Sequence, residues 1–223
     1  DQVKMIFKQA GLGNWSFEGN DGIDLRAKLY GLMDLVSADL KAIQQAPLVL
    51  PVDQHFNVKG VGLVAIGYVQ SGSVSKHDTI QVLPVGENGI VRSLQVMDDD
   101  VDIAISGDRV GLAIRNLREE ALHRGCMIIH SDSDALVKNT SSIFEIKMAP
   151  FQKRSLEVGD VIHAAVDMQF IVGRIKSKDD STVSVEWEVP LWTRARDSPP
   201  IIITQLDATP MRIIGTAILQ KSA

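Results

Sequence analysis

Cysteine is almost absent. Cys126 is the only one in 223 residues, so no disulfide can form within one chain, which fits a reducing compartment. It stands in the apolar run Cys126-Met127-Ile128-Ile129 and reads as a small buried hydrophobe. Aromatic residues make up only 5%, so the core must be mostly Val, Ile, Leu and Ala. There is no basic excess either. A net charge of -5 argues against a nucleic-acid binder that depends on bulk charge, and no DNA partner is expected. It leaves room for a small local pocket. No apolar run approaches the length of a membrane span and no signal peptide is present. A cytoplasmic protein without a membrane partner is expected.

Chemistry-bearing motifs are missing too. A phosphate-cradling loop needs GxxxxGK[ST], and the dipeptide Gly-Lys occurs nowhere. The guanine-reading pattern Asn-Lys-x-Asp is also absent. Gly11-Leu12-Gly13 opens like a dinucleotide loop, but the third glycine and the preceding strand are lacking. His55, His77, His123, His130 and His163 are scattered, none at metal-ligand spacing. Asp98-Asp99-Asp100 with Asp102 lacks the central Gly and closing Glu of a calcium loop and reads as a solvated loop. No nucleophile–base pair is marked locally. The expectation is no enzyme, no cofactor and no metal.

What is present falls into three segments. From Asp1 to about Ala46 the pattern is helical. Ile23, Leu29, Leu32, Met33, Val36, Leu40 and Ile43 form one apolar stripe, and Asn20 or Asp21 can cap its start. Val3, Ile6, Phe7 and Ala10 suggest an earlier helix ended by Gly11 and Gly13, with Asn14 to Phe17 as a short strand between the two. The chain begins at Asp1, which reads as a fragment or a trimmed product. From Pro47 to Asp132 Val- and Ile-rich runs are punctuated by glycine. Strands are expected over Leu63–Gln70, Thr79–Val85, Ile90–Met97 and Arg109–Asn116. Ser131 to Thr140 is polar and reads as a linker. A second β region runs from Ser141 to the end. In it Val183, Val185, Trp187 and Val189 alternate with Ser184, Glu186 and Glu188, and Met211 to Gln220 forms the last strand. The fold class is mainly β: two small barrels, 47–132 and 139–223, after an α/β remnant over 1–46. The first barrel carries seven Lys/Arg against eleven Asp/Glu, and the second ten against ten. Neither is a basic slab.

Phe56 to Gly86, FNVKGVGLVAIGYVQSGSVSKHDTIQVLPVG, resembles the opening of domain II of the translational GTPases. Ala104 to Gly111, with its Gly-Asp-Arg-Val-Gly, and Leu117 to Ile128, with Arg124-Gly125 before the last strand, are similar to that domain's second half. The glycines suit barrel corners and the alternating apolar residues its filling. VGDVIHAAVDMQFIVGRI, VSVEWEVPLW and MRIIGTAIL resemble domain III in order, nearest to the elongation factor Tu and selenocysteine-specific (SelB) branch. WSFEGNDGIDLRAKLYGLM resembles the closing loop and helix of a G domain, with Phe17 after Ser16 where the family has alanine.

The resemblance implies a role in binding the aminoacyl end of tRNA, or the ribosome. The family's residue facing the terminal adenine falls on Gln95, and the polar residue near the aminoacyl ester on Arg109. Apolar walls fall on Val74 and Ile80, with Ala113 nearby. A glutamine can donate and accept at an adenine edge, and Arg109 could meet a phosphate or carboxylate. Where elongation factor Tu has a basic pair, this chain has Asp98 and Asp99, which repel phosphates. Two alternatives stay open. One is a module for a protein partner on the same barrels with RNA binding lost. The other is the C-terminal part of an active GTPase.

Overall fold

The architecture comes from a computed structural model, which describes residues 2–150, 152–179, 181–209 and 211–220, without the side chains of 34 and 37–42. The chain divides into Asp1–Ala42 and Ile43–Ala223.

In the first unit α1 spans Gln2–Gln9. Leu12 N donates to Phe7 O (2.8 Å), and Gly11, at φ 81°, takes the left-handed conformation that closes a helix. The helix α2 spans Gly22–Gln44. Asp21 caps it: its Oδ1 accepts from the backbone N–H of Ile23 and Asp24, both at 3.0 Å. Asn14 to Phe17 is not a strand. Trp15 N bonds Leu12 O in a turn, and Trp15 and Phe17 pack edge-on against Phe7 at 5.9 and 5.2 Å between ring centres. That local aromatic cluster sets the segment's course instead of a sheet partner. The stripe on α2 is helical as expected but exposed: Ile23 is 81% accessible, and Leu29, Leu32, Met33 and Val36 all exceed half. Leu40 of that stripe has its side chain outside the described residues.

The second unit holds two closed barrels. The first uses β1 (Leu50–Val58), β2 (Gly62–Tyr68), β4 (Thr79–Leu83), β5 (Glu87–Val96), β8 (Arg109–Arg115) and β9 (Met127–His130), in the order β4-β9-β1-β2-β8-β5, closed by β4–β5. A short strand β6 (Asp99–Val101) extends β5, and β3 (Ser73–Ser75) pairs with β7 (Ile103–Ile105). Alternation along β2 and β8 sends Leu63, Ala65, Val110, Leu112 and Ile114 inward. They meet Leu50, Val52, Leu94 and Ile128 in a core with no aromatic ring.

The second barrel is β10 (Leu136–Met148), β11 (Val161–Val166), β12 (Gln169–Lys178), β13 (Thr182–Arg194), β14 (Ile201–Thr204) and β15 (Ile213–Leu219), ordered β10-β13-β12-β11-β14-β15 and closed by β10–β15. Phe144 and Trp187 pack edge-on at its centre, 5.7 Å apart. Two expectations need correction. The linker over Ser131–Thr140 is shorter, because β10 already starts at Leu136, where Leu136–Asn139 pair with Leu191–Arg194. Val189 leaves the inward face at 54% exposure. Between the pairs Asn139↔Leu191 and Ser141↔Glu186 the β13 strand carries extra residues, which bulge out around Glu188 to Pro190.

The barrels meet across Val49, Leu83, Met127, Ile129 and Ala135, with Leu136 and Trp192 packed against them. Arg194 donates through Nε to Asp167 Oδ2 (3.0 Å) and through Nη2 to Gln70 Oε1 of the first barrel (3.2 Å). Its guanidinium also pairs with Asp167 Oδ1, with 14% of the Arg194 side chain and 4% of the Asp167 side chain accessible. Gly125 comes so close that a Cβ there would lie 2.7 Å from Met168 O.

Candidate functional site

The outward face of the first barrel departs from ordinary alternation. On β2 the inward residues are buried, but the outward ones, Val64, Ile66 and Tyr68, are also apolar or aromatic and half-buried. Across the sheet Val64 faces Ala113, Ile66 faces Gly111 and Tyr68 faces Arg109. On the far side of β8, Ser93 faces Ala113 and Gln95 faces Gly111. On β1, Phe56 faces Val64 and Gln54 faces Ile66. Five strands thus place Gln54, Ile66, Gly111, Gln95 and Asp100 in one row.

Small residues make the centre of this face a hollow. A Cβ on Gly111 would meet nothing within 4 Å, and Ala113, although outward, is only 4% exposed. Val64 and Ile66 form one bank and Gln95 the other. Arg109 lies two residues, about 7 Å, along β8 from Gly111. Its guanidinium sits 5.9 Å from the centre of the Tyr68 ring, within cation–π range. The arrangement offers an apolar floor, an amide and a guanidinium, enough to hold a planar heterocycle with a polar or anionic appendage.

A β-bulge sets the aim of Gln95. Val91 pairs with Ile114 but Ser93 with Ala113, so Arg92 is an extra residue on β5. Val91 therefore points inward, and after the bulge Leu94 does so too. Without it Gln95 would share the parity of Val91 and face the core. Arg92 turns aside, donating through Nη1 to Val61 O (2.8 Å).

Gln95, Arg109 and Ala113 thus come together on one face. Val74 and Ile80 do not join them. Both are fully buried, 0% exposed, inside the barrel core, because inward parity on β3 and β4 commits them to filling. The apolar banks are instead Val64 and Ile66, with Tyr68 and Phe56 nearby. Their signal lay in the apolar run Leu63 to Tyr68, interrupted only by Gly67: a strand with water on its outer side would alternate with polar residues.

The acidic run also resolves into separate places. Met97 and Asp98, at φ 51° and 69°, form the two-residue turn between β5 and β6. Asp99 lies opposite Val96 and Asp100 opposite Gln95, so of these three only Asp100 shares the face of the hollow. Asp102 accepts from Lys76 Nζ at 2.7 Å. That hydrogen bond raises the lysine's pKa and lowers that of the aspartate. Among the described residues no cluster of His, Cys, Asp and Glu could hold a metal, and no helix is long and apolar enough to cross a membrane.

A closed barrel with such a face, joined to a second closed barrel, is the architecture of a translation-factor barrel pair. The sequence pattern of elongation factor Tu domain 2 matches residues 62–129. The chain is 30% identical over 179 residues to the selenocysteine-specific elongation factor of Methanocaldococcus jannaschii, covering 77% of this chain and 38% of that protein. It is 27% identical over 166 residues to elongation factor 1-alpha of Ignicoccus hospitalis, covering 72% and 37%. In fold it is similar to the translation elongation factor SelB of Methanococcus maripaludis in complex with a GTP analogue, with a TM-score of 0.75 at 24% identity, over 98% of this chain and 53% of that one. Residues 62–129 belong to the elongation factor Tu domain 2 family, and the chain is a homologue of the SelB and elongation factor 1-alpha translation factors. It spans between 37% and 53% of the length of these relatives.

Proposed function

We propose that the hollow over Gly111 and Ala113 receives the terminal nucleoside of an aminoacylated tRNA, and that the protein acts in translation, on the tRNA or at the ribosome, in the cytoplasm. The supporting observation is the hollow itself. An outward strand face with glycine and buried alanine at its centre, flanked by Gln95 and Arg109, offers an apolar floor beside an amide and a guanidinium, the chemistry that suits a base and its ribose. Residues 1–223 carry no phosphate loop, so we read them as the binding part and not as the seat of nucleotide hydrolysis.

The test is Gly111→Val. The position is open to a side chain, and a β-branched residue suits a strand. The variant should keep its thermal midpoint and lose aminoacyl-tRNA binding about tenfold or more in a filter assay. Binding by the unaltered protein should weaken with salt. Equal retention of tRNA and an unrelated polyanion would remove this reading.

A second reading, a protein-binding module, draws on the outer face of the second barrel. There His163 stacks on Phe170, 4.8 Å between centres, and Phe170, Ile213 and Ile218 are each at least half exposed. A pulldown that returns a stable protein and no RNA would favour it.

A further inference from the structure

We infer that Asp100 is a positioning residue for the ligand face: it locks the side-chain amide of Gln95 so that its carbonyl oxygen, not its NH2 group, is offered to the hollow. The inference rests on the reading of that hollow as a nucleoside site. Gln95 Nε2 donates to Asp100 Oδ1 at 3.0 Å, and the two residues are direct cross-strand partners. An ionised carboxylate only accepts hydrogen bonds. The amide must therefore turn a nitrogen toward Asp100, which leaves Oε1 on the other side. A free glutamine could present either end. This one presents an acceptor.

The backbone fixes the pair as firmly as the side chains do. The bulge at Arg92 turns Gln95 outward, and the turn at Met97-Asp98 sets the register that brings Asp100 opposite it. A single-residue slip in β6 would move Asp100 to the opposite face. The aspartate thus belongs to the recognition surface without touching ligand. A ligand group that satisfies Oε1 must be a hydrogen-bond donor: a ribose hydroxyl or the exocyclic amine of adenine.

The test uses the full chain and an RNA minihelix ending in CCA, in three forms: unmodified, with a terminal 2′-deoxyadenosine, and with a terminal purine riboside lacking the exocyclic amine. One of the two modified ends should bind about five- to tenfold more weakly than the unmodified end, the value of one hydrogen bond. Which one it is identifies the donor. Asp100→Ala should erase that discrimination while leaving the salt dependence of binding in place. Gln95→Glu alone sets two carboxylates opposite each other and should bind poorly. Gln95→Glu combined with Asp100→Asn should regain the discrimination, because asparagine can donate to the new carboxylate and leave an acceptor facing the hollow.

A ligand-free measurement separates the two claims. The side-chain NH2 signals of Gln95 in a nitrogen-15 NMR spectrum should move in Asp100→Ala. If they do not, or if Asp100→Ala discriminates as well as the unaltered chain, the inference is overturned. If the unaltered chain binds no minihelix while the Gln95 signals still follow Asp100, the nucleoside reading fails and the oriented acceptor stands.

Discussion

The two barrels each close six strands, connected in different orders, and solve the problem of filling them differently. The first is filled without an aromatic ring, by aliphatic side chains and Cys126. The second is filled around two rings, with Trp187 lying over Gly173, where a Cβ would meet the indole Cζ3 at 2.6 Å. A small barrel needs a fixed volume of side chain at its centre. Many small branched residues can supply it, or a few large ones with glycine making room. Glycine is used differently too. On the first barrel Gly111 and Ala113 face outward and open a hollow. On the second, Gly173 faces inward and the indole of Trp187 fills the space over it. The same residue type opens an outer face in one barrel and makes room in the core of the other.

The sharpest way to break this comparison is Trp187→Ala. It removes the edge contact with Phe144, the 2.9 Å hydrogen bond from Nε1 to Ser142 Oγ and the filling over Gly173. The expected loss is about 3–5 kcal/mol, read by denaturant unfolding. Cys126 reports on the other barrel. It is fully buried in the first core, and burial pushes its thiol up to about 11. Below that pH the folded thiol stays protonated and unreactive. If the barrels unfold as one, thiol labelling of the tryptophan variant accelerates in step with its lost stability. If they unfold separately, labelling keeps its original rate.

Next in size is the joint between them. Asp167→Ala leaves the partly buried Arg194 without its carboxylate and should cost about 2–3 kcal/mol. Replacing both Asp167 and Arg194 by apolar residues should cost less than the single change, since no charge is then stranded. Gly125→Ala should follow at about 1–3 kcal/mol, because Gly125 has φ 86° and faces Met168 O. If Gly125→Ala unfolds as the unaltered chain does, the close approach of the barrels contributes nothing to stability.

Much of this fold was legible in the sequence, for identifiable reasons. The run from Thr182 alternates strictly because one side of β13 packs on a core. Leu63 to Tyr68 is apolar on both sides because β2 has a core inside and the hollow outside. Gly-Asp-Arg-Val-Gly marks the entry to β8. Three features were not legible. Nothing in Val91-Arg92-Ser93 announces a bulge, since no glycine or proline stands there, yet it decides where Gln95 points. Val74 and Ile80 are apolar strand residues whose sidedness depends on register, which tertiary pairing settles. The acidic run reads as one block along the chain, whereas the turn at Met97-Asp98 sends its members to different faces.

The smallest effect contrasts two ion pairs. Asp167 and Arg194 are largely shielded from water at the joint. Arg118 and Glu87 lie on the first barrel's rim, with Arg118 largely exposed. The hydrogen bond from Arg118 holds the Glu87 carboxyl below its ordinary range and raises the arginine in turn. A depressed folded pKa stabilises the fold above the unfolded carboxylate range, and that contribution is lost as the pH falls through the depressed value. Glu87→Gln should therefore leave neutral-pH stability nearly unchanged, because an exposed pair is screened by solvent, and should only flatten the acid limb of the stability curve. A carboxyl NMR titration is the direct reading: the Glu87 midpoint should rise toward the ordinary glutamate range in Arg118→Gln. If it stays put, the rim pair does not persist in solution, and the shielded pair at Asp167 is left as the ionic contribution that separates the joint from the rim.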